Sequence, residues 1–124
     1  MWCFILPSTP EVKEAVQLKA SEWQLTTLDM AGRISQALGD ITREVVNNVP
    51  ELRALVLTGG DTAKDISKQL GATGFRLTRQ IEAGIPQGIL IGTDRLIEVV
   101  TKAGAFGSEK SIYRAMKALK GERE

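Results

Sequence analysis

The run Leu55-Val56-Leu57-Thr58-Gly59-Gly60-Asp61-Thr62-Ala63 constrains this chain more than any other stretch. A short apolar strand stops at two glycines, and a helix starts at once. That layout aims backbone N–H groups and a helix N-terminus at one point. An anion is favoured there by unpaired amides and by the positive end of the helix dipole. The glycines lack a Cβ, so they permit unusual φ/ψ and let a ligand approach the backbone closely. The first expectation is a phosphate or nucleotide site at this turn. A Gly-Gly turn also serves as a plain tight connection, and local sequence leaves both readings open.

The bulk numbers narrow the classes around that turn. At 124 residues the chain has the length of one domain, and can bury a core without disulfides. With 43% hydrophobic and 25% charged residues it sits with soluble globular domains. A net charge of +1 gives no global case for nucleic acid or an anionic membrane. Lys110, Arg114, Lys117 and Lys120 form a local basic group that reads most simply as a solvated helix face. Cys3 is the one cysteine, so no internal disulfide or multi-cysteine zinc site can form. Its simplest role is a small buried hydrophobe. The absence of histidine removes Ser-His-Asp catalysis, the HExxH helix and histidine metal sites. Met1 to Leu6 is apolar but too short to span a bilayer, and lacks the basic flank of a signal peptide. The expected location is cytoplasmic, with no membrane and no nucleic-acid partner.

Periodicity lays out the rest. Trp2 to Leu6 reads as a buried strand, broken by Pro7 to Pro10. Glu11 to Ala20 reads as a helix, and Ser21 to Thr27 is ambiguous. Leu28, Ala31, Ile34, Leu38, Ile41 and Val45 give one apolar helical stripe that Asn47, Asn48 and Pro50 end. Arg53 to Thr58 suits an interior parallel strand buried on both faces. Thr62 and Asp65 have capping-box spacing for the next helix, with Asp61 as the rival N-cap. Ala63, Ile66 and Leu70 form its inner face, and Gly71 sits where a left-handed C-cap belongs. Phe75 to Ile81, Gly88 to Ile91 and Ile97 to Thr101 read as strands, with turns at Glu82 to Pro86 and Thr93-Asp94. Ser108 is placed to cap a last helix over Glu109 to Lys120, with Ile112, Ala115, Met116 and Leu119 inward. Strand–helix alternation predicts an α/β layered domain with a mixed, partly parallel sheet flanked by helices.

Two loops share one logic. Thr58 to Thr62 and Lys102 to Ser108 each follow a strand and precede a helix. If those strands are parallel neighbours, both loops lie at the carboxyl edge, where α/β sheets bind ligands. One loop offers amides and a hydroxyl; the other offers amides and the ammonium of Lys102. That pairing suits a polyphosphate. Lys102 as a solvated lysine, Phe106 as a core anchor rather than a contact for a base, and Asp61 as a cap rather than a metal-shell group are the competing readings. Glu82 reads as an exposed turn residue with no local commitment. GxxxxGK[ST] and GxGxxG are both absent, so a nucleotide site here is of another kind.

TGGDTA at 58–63, EAGIP at 82–86 and KAGAFG at 102–107 occur in that order. Together they resemble the C-terminal nucleotide-binding domain of the four-carbon acid sugar kinases, which include threonate, erythronate and 3-oxo-tetronate kinases. The resemblance runs from about Leu55 to the end and more faintly back to Met1. It implies that Gly59, Gly60, Asp61 and Thr62 contact the phosphates of ATP carried with Mg²⁺. It also implies that Lys102, Gly104, Phe106 and Gly107 complete the nucleotide site, with Glu82 and Gly84 of the EAGIP turn as further candidates. No residue is assigned as catalytic or as a metal ligand. Ala103 and Ala105 depart from the usual pattern, where a serine and a larger or polar residue are more common. Ala83 replaces a common proline.

The larger departure is length. The family carries an N-terminal domain that binds the sugar acid and supplies catalytic groups. The expectation is therefore that residues 1–124 form one truncated nucleotide-binding domain whose first strand, with its own serine-rich turn, is missing. Its implied partners are ATP and a sugar-acid-binding N-terminal domain or subunit, and it is compatible with a homo-oligomer. The isolated chain is expected to be inactive as a kinase. The alternatives are a non-catalytic nucleotide- or phosphometabolite-binding or assembly module, and a sensor of a phosphorylated metabolite.

Overall fold

The computed structural model describes residues 10–103 and 106–121. The strand expected at Trp2 to Leu6, Cys3, and residues Gly104 and Ala105 lie outside the described residues. The chain divides into two compact units with the boundary between Ile34 and Ser35.

The first unit holds α1 (Pro10–Glu22) and the start of α2 (Thr27–Asn48). Pro10, expected to break a strand, opens α1, where its missing N–H costs nothing. Glu11 in the first turn and Lys19 in the last complement the helix dipole. The ambiguous stretch resolves into a turn and a reciprocal cap. The Asp29 amide donates to the Thr26 hydroxyl at 3.0 Å, and the Thr26 amide donates to the Asp29 carboxylate at 3.1 Å. This is a capping box with Asp in the place of the usual Glu. Hydrogen bonding to Thr26, through its side chain and its amide, holds the Asp29 carboxyl below its ordinary value.

The second unit holds the rest of α2, then β1 (Ala54–Thr58), α3 (Gly60–Gln69), β2 (Gly74–Glu82), β3 (Ile85–Ile91), β4 (Glu98–Lys102) and α4 (Ser111–Leu119). The four strands form one sheet in the order β1-β4-β3-β2. β1 pairs with β4 in parallel; β4 with β3 and β3 with β2 are antiparallel. The sheet is mixed and partly parallel, as the alternation of elements predicts.

Side-chain alternation sends the two faces to two cores. Leu57, Leu90, Ile97 and Val99 pack with Val46 of α2 and with Ala63 and Ile66 of α3. Val100 and Ile85 pack with Ala115 of α4, flanked by Val56, Ile81 and Leu119. Val99 and Val100 are both at 0% exposure, so β4 is the strand enclosed on both faces. Burying each such aliphatic side chain contributes roughly 1.5–3 kcal/mol relative to leaving it in water.

Several local expectations are corrected. β1 was expected to be interior, but it lies at one edge of the described sheet beside β4 alone, and only its Leu57 is fully buried. The inner face of α2 in this unit is Ser35, Leu38, Thr42, Val45 and Val46, rotated from the apolar stripe, and Ile41 is 45% exposed. Polar contacts to α3 accompany that rotation: the Ser35 and Thr62 hydroxyls meet at 3.2 Å, and the Gln69 side-chain amide donates to the Gln36 carbonyl at 3.0 Å. On α4, Ser111 takes the buried position expected of Ile112, which is exposed. The β2–β3 turn is only Ala83 and Gly84; Pro86 lies within β3, beside an irregularity between Gln80 and Glu82 that accommodates its missing donor. Gly71 closes α3 in the left-handed region with φ 84°, as expected.

Candidate functional site at the carboxyl edge

β1 and β4 end together. Thr58 stands opposite Lys102, and the Gly59 amide donates to the Lys102 carbonyl at 2.8 Å. The turn after β1 and the loop after β4 are thus tied at their first residues. The β2–β3 turn reaches the same edge. Gln87 pairs with Val100, so Ile85, two residues earlier on β3, lies level with Lys102. The TGGDTA, EAGIP and KAGAFG segments are therefore brought to one edge of the sheet.

Gly59 is the N-cap residue of α3, at φ 87°, a conformation that L side chains rarely adopt. No side chain caps the helix. This corrects both expected caps: Asp61 lies within the first turn, exposed, and the Thr62 hydroxyl meets Ser35 instead of a backbone amide. Gly60 is exposed, and a Cβ built on it would meet nothing within 4 Å. The first turn of α3 thus has amides without a side-chain cap, with the helix dipole behind them.

Lys102 closes β4 rather than opening the loop, and is half-buried. Strand alternation puts it on the same face as Val100, the face covered by α4. In the loop, the Phe106 amide donates to the Ala103 carbonyl at 3.0 Å. The Phe106 ring lies against Gly84: a Cβ added there would sit 2.5 Å from the ring. Phe106 is still 51% exposed, so one side of the residue is held by the hairpin and the rest faces solvent. Gly107 has φ 90°, and a Cβ on it would come within 2.5 Å of the Ser111 hydroxyl. Ser108 does not cap α4. The helix starts at Ser111, and the Ser108 hydroxyl accepts the Lys110 amide at 3.3 Å.

Glu82 is not the uncommitted turn residue that its sequence context suggests. Its carboxylate accepts the Ser111 hydroxyl at 3.1 Å and pairs with Arg114 at 3.3 Å, with the side chain 21% exposed. Ser111 and Arg114 escaped the sequence reading because both sit on the helix among residues read as an apolar face and a solvated basic face. Arg114 is drawn from that basic group by Glu82, and the Lys117 ammonium lies 5.2 Å from the Tyr113 ring. A cleft of about 330 Å³ lies nearby, between α3 residues Ala63, Lys64 and Ser67 and the strand residues Phe75, Leu90 and Thr101. The edge itself is an open shelf, with Gly60, Asp61 and residues 106–110 exposed.

Residues 3–112 match the family model described as the nucleotide-binding C-terminal domain. The chain belongs to this family. Among curated proteins it is similar to a D-threonate kinase of Bordetella bronchiseptica, 34% identical over 111 residues, covering 89% of this chain and 27% of that protein. It is also similar to a 3-oxo-tetronate kinase of Pseudomonas savastanoi, 28% identical over 114 residues, covering 92% of this chain and 25% of that protein. The chain spans about a quarter of the length of such relatives. Among solved structures, a Bordetella bronchiseptica protein with a domain of unknown function, crystallised with citrate as a domain-swapped dimer, superposes with a TM-score of 0.66. It is 33% identical and covers 73% of this chain and 23% of that one. A Haemophilus influenzae protein, 23% identical with a TM-score of 0.63, shares the fold over 88% of this chain and 24% of its own. Among the described residues, no helix of this family member is long and apolar enough to cross a membrane.

Proposed function

We propose that this chain is the ATP-binding part of a kinase for four-carbon sugar acids. In this reading Gly59, Gly60, Asp61 and Thr62 receive the phosphates of ATP–Mg²⁺. Lys102, Gly104, Phe106 and Gly107 complete the nucleotide site from the second loop, with Glu82 and Gly84 as further candidates. The observation that carries the reading is the bond from the Gly59 amide to the Lys102 carbonyl. It ties the two loops together at the ends of parallel neighbouring strands, in a chain of the nucleotide-binding family. Phosphoryl transfer asks chiefly for positioning and charge neutralisation. An uncapped helix N-terminus with a lysine on the adjoining strand end offers both.

Among the described residues, no group of three or more acidic or thiol side chains is gathered that could hold a metal by itself. Mg²⁺ at this edge would arrive with the nucleotide, with Asp61 placed to approach it through water. The attacking hydroxyl and its base would come from the N-terminal part that fills the rest of the relatives' length. An open shelf needs such a part to close on it, because excluding water and aligning the hydroxyl both require closure. Calorimetry with ATP–Mg²⁺ tests the first half of the proposal, with binding expected. A coupled ADP-release assay over threonate, erythronate and 3-oxo-tetronate tests the second. Turnover is expected only when the N-terminal part of a relative is added. Turnover by the chain alone, lost in a Gly60→Val variant, would overturn the division of labour.

A further inference from the structure

We propose that Glu82, acting through Ser111, is a positioning residue that holds residues 106–108 in the form that meets the nucleotide. The proposal rests on the nucleotide reading above and adds to it two residues, Ser111 and Arg114, that the sequence motifs do not include. Ser111 is buried at 1% exposure, on the first turn of α4. Its hydroxyl accepts the Ser108 amide at 2.6 Å and donates to the Glu82 carboxylate at 3.1 Å. A hydroxyl has one proton. Committing it to Glu82 turns a lone pair toward the Ser108 amide, and donation to a carboxylate makes that oxygen a stronger acceptor. Arg114 holds the same carboxylate oxygen at 3.3 Å, so Glu82 is fixed from two positions on α4.

The loop is fitted to this device. Gly107 packs directly on the Ser111 hydroxyl, where no Cβ could stand. Phe106 packs on Gly84, two residues after Glu82. The loop after β4 is thus anchored to the β2–β3 turn twice, by a ring on a glycine and by an amide–hydroxyl–carboxylate chain. A loop that must present amides and an aromatic ring to a ligand needs such anchors, because a site held loosely loses its advantage.

Amide exchange by NMR on the whole chain, together with calorimetry for ATP–Mg²⁺, tests the proposal. In Ser111→Ala the Ser108 amide should exchange faster by about tenfold or more, and ATP should bind roughly tenfold more weakly. Glu82→Ala should do the same, and the double variant should be no worse than either, since the two residues act as one unit. Glu82→Gln keeps an acceptor for Ser111 and should retain most of the loop protection and most of the affinity. It also guards against a merely unfolded variant. Faster exchange at Ser108 with unchanged ATP affinity would overturn the positioning role and leave the nucleotide reading intact. Unchanged exchange in Ser111→Ala would overturn the hydrogen-bond chain itself. A parent chain with a protected Ser108 amide and no ATP binding would overturn both the nucleotide reading and this inference.

Discussion

At the N-terminus of α2, Thr26 and Asp29 satisfy each other's amides; at the N-terminus of α3, Gly59 has no side chain with which to do so. Both helices begin with several backbone N–H groups that lack intrahelical partners. The first start is closed by the protein's own side chains. The second has no side-chain cap, and its first residues are the Gly-Gly-Asp-Thr turn. The C-terminus of α2 repeats the closed solution with the opposite charge. The Arg95 guanidinium donates to the carbonyls of Val46, Val49 and Pro50, a cation where the dipole is negative. These two ends of α2 are capped from within, whereas α3 and α4, which follow the two glycine-bearing segments, start without a side-chain cap.

The sharpest way to break this comparison is to fill the open end. Gly60→Val adds a branched side chain where a Cβ meets nothing. The fold should persist, with a Tm within a few degrees of the parent. ATP affinity measured by calorimetry should fall by about a hundredfold or more, equivalent to roughly 2.7 kcal/mol. Unchanged affinity would mean that the open turn is a connection and nothing else. The reciprocal experiment opens a closed end. Arg95→Ala exposes three carbonyls to poorer partners and should cost on the order of 1–3 kcal/mol of stability in urea denaturation. The folded fraction should bind nucleotide as before, since Arg95 lies by the helix-end carbonyls, away from Gly59 and Lys102.

The open end was legible in the sequence because two glycines stand between a strand pattern and a helix pattern, with no side chain at Gly59 to cap the helix. A strand that stops at Gly59-Gly60 before a helical pattern leaves few folds available, and strand–helix alternation pointed to a mixed, partly parallel sheet, while the pairing of β1 with β4 was only a condition of the two-loop reading. The closed ends were not legible. Arg95 reaches carbonyls more than forty positions earlier in the chain, and no local pattern announces that. Thr26 and Asp29 do have a cap's spacing, but they lay in a stretch without periodicity on its N-terminal side. At the site, Glu82 was visible and its partners were not. Ser111 has the residue type of a surface position and the burial of a core one, because its hydroxyl is satisfied by Ser108 and Glu82. The rotated face of α2 shows the same pattern: its Ser35 hydroxyl meets that of Thr62, and its Gln36 carbonyl accepts the Gln69 side-chain amide, beside the apolar contacts of Leu38 and Val46. Hydrophobic periodicity registers apolar burial and is blind to polar burial that is paired.

A third variant sharpens the comparison by separating the turn from its neighbour. Lys102 stands opposite Thr58, one residue before the open turn. Lys102→Ala should weaken ATP by roughly tenfold, the scale of one charge-assisted contact at a half-exposed site. AMP should weaken less, if the ammonium meets the β or γ phosphate. Equal losses for ATP and AMP in the same calorimetric titrations would place Lys102 away from those phosphates.

The smallest effect concerns the closed start of α2. Hydrogen bonding to Thr26 holds the Asp29 carboxyl below its ordinary 3.8, with Arg33 assisting. The folded value is therefore lower than the unfolded one. The cap's contribution is fully present above the ordinary carboxylate range, and is lost as the pH falls through the folded value. Near neutral pH no change is expected. In acid, the amide signals of Thr26 and Asp29 should titrate together with a midpoint below 3.8, as the first turn of α2 loosens. Asp29→Asn keeps an acceptor without the charge and should remove the titration while leaving the turn formed. Thr26→Ala takes away the partner and should return the Asp29 midpoint toward its ordinary value, at a cost of about 1 kcal/mol for the lost cap. The start of α3 has no side chain in that role.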